Sequence, residues 1–170
     1  STSYKKADGK TVNITVDHAV MALDQCKTWI TPYYKILGAK SGWLNYTSET
    51  RPYYVCNCLV AVEGPNNTVL VGYVYNKRQD NGDDNVYHYL NILYQILLNK
   101  SEGLPTAELE AQLACDSCAG VIIPADGSVP DGADFFSEES QYVPFTKNSR
   151  ELITTASTWK TFTCLTACRY

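Results

Sequence analysis

Residues 51–77 hold the clearest alternation in the chain: Arg-Pro-Tyr-Tyr-Val-Cys-Asn-Cys-Leu-Val-Ala-Val-Glu, then Gly-Pro-Asn-Asn, then Thr-Val-Leu-Val-Gly-Tyr-Val-Tyr-Asn-Lys. Two apolar runs around turn residues predict an antiparallel hairpin over 53–76. Side chains alternate across a strand, so Tyr54, Cys56, Cys58, Val60 and Val62 share one face. On the return strand, Val69, Val71, Tyr73 and Tyr75 are expected to form the matching apolar row. That face should be buried, and its two cysteines should bridge to whatever covers it.

Helical spacing appears twice at length. Val16, Val20, Leu23 and Ile30 predict a helix over about 17–30, with Pro32 ending it and Cys26 near its buried stripe. Tyr33 to Leu37 adds one further turn in this reading, with Gly38 as a left-handed stop. The stronger helix runs over about 85–99, where Val86, Leu90, Leu93 and Leu97 form one stripe and Tyr89, Ile92 and Ile96 widen it. Asp84, His88, Asn91, Gln95 and Asn99 make a narrow polar stripe on this helix, read as its solvated side. A shorter helix follows Thr106, its expected cap.

Strands are expected at 11–16, 121–123, 142–145 and 157–164. Ser41 to Thr50 reads as an exposed loop or short strand, and 124–140 as an acidic loop. The fold class is therefore α+β. An antiparallel sheet is centred on the 53–76 hairpin, two main helices pack on its cysteine-bearing face, and disulfides staple the layers. The 170 residues make one domain, large enough for a real core.

Cysteines and sequons set the compartment. Seven cysteines stand at Cys26, Cys56, Cys58, Cys115, Cys118, Cys164 and Cys168, and four Asn-x-Ser/Thr sequons begin at Asn13, Asn45, Asn66 and Asn99. Together they point to the secretory route and an extracellular, disulfide-bonded N-glycoprotein. An odd count leaves one cysteine over, either buried as a thiol or shared across a homodimer. Cys56 and Cys58 lie on one side of one strand, so each should reach a different element. Cys115-Asp116-Ser117-Cys118 follows a helix C-terminus, which favours a structural role over a redox-active one.

The net charge of −4 and scattered Lys and Arg make nucleic acid and anionic membrane poor partners. The longest apolar run, Val86 to Leu98, is too short and polar to span a bilayer. No motif for a nucleophile, a metal or a phosphate loop is present, so no cofactor or metal is expected. Neither acidic stretch, Asp80–Asp84 or Asp126–Glu139, has the EF-hand spacing. The leading functional reading is a non-enzymatic binding module of the effector, toxin or immune-modulator type, for an extracellular protein or glycan. The residues expected to meet that partner are Trp43, Tyr46, Arg51, Tyr53, Val55, Asn57 and Leu59. The alternatives are a carrier of a small apolar ligand and a small hydrolase using acidic residues or a Cys–His pair.

Overall fold

The expected hairpin lies in a five-stranded antiparallel sheet. In the computed structural model, residues 2–5, 8–14, 30–46, 53–78, 86–130, 133–134 and 140–148 are described. The strands of this sheet are β3 (Ile36–Tyr46), β4 (Tyr53–Glu63), β5 (Thr68–Arg78), β6 (Ser117–Pro124) and β7 (Phe145–Lys147), paired in that order. A separate two-stranded ladder joins β1 (Thr2–Lys5) to β2 (Thr11–Ile14). Between β5 and β6 the chain forms α1 (Val86–Ser101) and α2 (Ala107–Gln112). The α+β class stands, with one antiparallel sheet. The predicted 17–30 helix (apart from Ile30), the 157–164 strand, Arg51, Cys26, Cys164 and Cys168 lie outside the described residues.

The hairpin register corrects one expectation. Val62, Val60, Cys58 and Cys56 pair with Leu70, Gly72, Val74 and Asn76, not with the odd-numbered row of β5. Directly paired residues point to the same side of an antiparallel sheet. Val69, Val71, Tyr73 and Tyr75 therefore share the other face with Glu63, Ala61, Leu59 and Asn57. The turn fixes this register: Asn66 and Asn67 both take positive φ, and Gly64 and Thr68 close the ladder with a 2.9 Å bond from the Gly64 amide to the Thr68 carbonyl.

β3 is the second correction. Tyr33 to Leu37 makes no helical turn: the strand begins at Ile36, and Gly38 is not left-handed but sits beside a register irregularity between Ile36 and Gly38. From Gly38 to Tyr46 every residue pairs with β4, and that ladder outweighs the local helical spacing. Ser41 to Tyr46 is thus part of a long strand at one end of the sheet.

α1 rests on the face that carries Cys56 and Cys58. Two neighbouring strand glycines let it come close: a Cβ on Gly72 would lie 2.7 Å from Leu90 Cδ1 and 2.9 Å from Tyr94 Cε1, and one on Gly120 would lie 3.0 Å from Leu97 Cδ1. Leu90, Leu93, Tyr94, Ile96 and Leu97 are fully buried there with Val60, Val62, Leu70 and Val74. The Tyr94 hydroxyl donates to the Val60 carbonyl at 2.8 Å, so its polar tip is satisfied inside the core. α1 ends at left-handed Gly103, where the Leu104 amide reaches back to the Asn99 carbonyl at 2.8 Å. At α2, the Thr106 side chain makes no cap bond to the backbone; its hydroxyl donates to Glu110 Oε1 at 2.6 Å.

The polar stripe of α1 divides. His88 and Gln95 are exposed, whereas Asn91 is an internal tie. Asn91 Oδ1 accepts from Thr31 Oγ1 at 2.6 Å, and its amide donates to the Tyr87 carbonyl at 2.7 Å and the Ile30 carbonyl at 3.3 Å. Residues 30–31 are thereby fastened along one flank of the helix.

Candidate functional site

The residues proposed to meet a partner fall on two sides of the sheet. Trp43 pairs with Cys56, so it stands on the α1 side of β3, yet it is 57% exposed because β3 has β4 as its one strand neighbour among the described residues. Tyr53, Val55, Asn57 and Leu59 point to the opposite side. Tyr46 pairs in register with Tyr53 at the far end of the strand pair.

On that opposite side, Val55 is 1% exposed and Asn57 0%. Both are closed off and do not offer contact area to a partner. Their register neighbours explain part of this: Gly42, Asn57, Tyr75 and Ser117 form one buried row across four strands. Apolar Val55 and Leu59 on either side of Asn57 are consistent with a covered face. Tyr53 and Leu59 remain half-buried, and Lys77 Nζ sits 4.5 Å from the Tyr53 ring centroid, a cation–π contact on the surface.

The cysteines are arranged along the core side. Cys56, Cys58, Cys115 and Cys118 are all at most 1% exposed. Cys58 and Cys118 flank Val74 in register, and the Cys58 thiol donates to the Val86 carbonyl at 3.9 Å. Cys115 and Cys118 share a hydrogen bond through their sulfurs, which pushes the Cys115 thiol down and the Cys118 thiol up. Burial adds to the rise at Cys118, and the Lys147 charge lowers both.

Several bonds hold this Cys-x-x-Cys turn. The Lys77 amide donates to Asp116 Oδ2 at 2.5 Å, Asn148 Nδ2 to the Asp116 carbonyl at 2.7 Å, and Lys147 Nζ to the Leu113 carbonyl at 2.5 Å. These partners are remote in sequence, and spacing alone gave no sign of them.

Of the remaining candidates, His88 is exposed, with its ring centroid 5.8 Å from that of Tyr89. Asp126 Oδ1 accepts from the amide and hydroxyl of Ser128 at 2.9 and 2.6 Å, and these bonds hold its carboxyl below the usual range. Among the described residues, no group of three or more His, Cys, Asp or Glu is placed to hold a metal ion. No described helix is long and apolar enough to cross a membrane. A half-open hollow of about 440 Å³ lies beside the hairpin turn, between Leu37, Glu63, Asn67, Val69 and Ala125.

The sequons also differ in setting. Asn66 is exposed at the hairpin tip, while Asn99 is half-buried and donates through Nδ2 to the Pro105 carbonyl at 3.1 Å. Asn13 and Asn45 lie in β2 and β3. The chain matches no protein-family model, no curated protein and no solved structure.

Proposed function

We propose that this chain is a secreted, disulfide-bonded N-glycoprotein that acts by binding an extracellular protein or glycan, without catalysis. The observation that carries the binding reading is Trp43, 57% exposed on the long strand at the end of the sheet. A large aromatic in open water on such a strand offers apolar area and a polar tip at little conformational cost. The secretory part rests on the cysteines and sequons, and exposed Asn66 is well placed to carry a glycan.

The hairpin tip and Trp43 are far apart. Trp43 pairs six residues along β4 from Val62, roughly 20 Å by strand rise. A glycan on Asn66 therefore leaves the Trp43 end clear. Asn45 stands two residues beyond Trp43, so a glycan there would border the contact.

Labelled protein screened against arrays of extracellular proteins and glycans tests this reading. Saturable binding is expected, and Trp43→Ala should weaken it by at least about 2 kcal/mol, roughly thirtyfold in Kd, with the fold intact. Asn45→Gln should bind at least as well as the parent. Binding that is indifferent to Trp43→Ala would remove this surface from the account.

The carrier reading has less support. Where a ligand would lie between α1 and the sheet, Leu90, Leu93, Tyr94 and Leu97 fill the space down to the backbone of Gly72 and Gly120.

A further inference from the structure

The seven cysteines leave on the order of a hundred pairings open when one thiol is left over. The sheet register removes several of them. Cys58 and Cys118 are separated by Val74 on the intervening strand. Their Cα atoms are therefore about 9.5 Å apart by strand spacing. A disulfide rarely spans more than about 7 Å between Cα atoms. Cys56 pairs with Asn76 on the same intervening strand, and is likewise kept from β6. Cys56 and Cys58 project in parallel from one strand, with Cβ atoms about 7 Å apart, which is too far for a bridge.

Cys115 and Cys118 are different. Two residues separate them, the turn between them is held by Asn148 and the Lys77 amide, and both are buried as free thiols in this structure. We infer that Cys115 and Cys118 form an intramolecular disulfide in the oxidised protein, so that neither serves as a bridge from the sheet to another element. Cys56 and Cys58 are then left to reach elements other than this turn. The bridge reduces the open pairings about sevenfold and leaves Cys26, Cys56, Cys58, Cys164 and Cys168 to share the rest.

The oxidant is a second disulfide, here glutathione disulfide. The Cys115 sulfur, the more acidic of the two, loses its proton and attacks one glutathione sulfur. The glutathione S–S bond breaks, one glutathione leaves as thiolate and takes up that proton, and a mixed disulfide remains on Cys115. Cys118 then loses its proton, attacks the Cys115 sulfur and expels the second glutathione, which is protonated in turn. The protein has lost two electrons and two protons, and glutathione disulfide has become two thiols.

Trypsin reads the outcome directly, because cleavage after Lys100 and Lys147 releases a peptide whose only cysteines are Cys115 and Cys118. The full chain is refolded from the reduced state in a glutathione redox buffer, blocked with iodoacetamide under denaturing conditions, digested and weighed. The expected 101–147 peptide carries no alkyl group, is lighter than the dithiol by two hydrogen atoms, and takes up two alkyl groups after reduction. A peptide alkylated on both cysteines before reduction, or linked to another cysteine peptide, would overturn the assignment. Refolding outside a cell keeps this result separate from the question of where the protein resides.

Discussion

At the scale of single residues, the fold depends on what is missing from Gly72. Any side chain there meets Leu90 and Tyr94 inside van der Waals distance. Gly72→Val is expected to cost about 1–3 kcal/mol through overpacking, read as a lower midpoint in denaturant with α1 still helical by circular dichroism. Tyr94 carries a second prediction. Burial, with smaller contributions from Cys58 and Tyr34, pushes its phenol well above the ordinary value. The folded chain then keeps this proton where the unfolded chain releases it. The stabilisation is complete below about pH 10 and declines as pH rises beyond it. Tyr94→Phe should cost about 1–2 kcal/mol at neutral pH, because the Val60 carbonyl loses its donor. The same variant should flatten the alkaline fall in stability, followed by urea denaturation at a series of pH values.

Elements were legible in proportion to how local their cause is. The hairpin and α1 announced themselves, since alternation and a 3.6-residue stripe are written in neighbouring residues. The face of β5 did not, because register depends on the turn conformation, and a slip of one residue reverses every side chain. Two adjacent left-handed asparagines decide it here, Asn66 and Asn67. Asn67→Gly should keep or raise the melting temperature and preserve the Asn66 sequon, whereas Asn67→Val should lower stability by about 1–2 kcal/mol, since a β-branched side chain resists positive φ. β3 departs from its local signal for a related reason. Its local residues carry a weak helical signal around Tyr33–Leu37, and the ladder that overrides it comes from β4, remote in sequence. The proposed contact residues were legible as aromatic enrichment, but not as a surface, because Trp43 and Tyr53 occupy opposite sides of the sheet and Val55 and Asn57 are buried.

For the whole molecule, the sheet and α1 form one layer pair whose core is tight at Gly72 and Gly120, and whose end strand presents Trp43 to water. Export and glycosylation belong to this scale, and they share one root in the sequons and cysteines. Peptide mapping of the protein isolated from its native source examines that root most directly. Enzymatic removal of N-glycans converts a glycosylated asparagine to aspartate, so occupancy is read as a mass change on the peptide bearing Asn66. The predicted result is a glycan on Asn66 together with cysteines that resist alkylation until reduced. A bare Asn66 in a chain whose seven cysteines all alkylate without reduction would contradict the account.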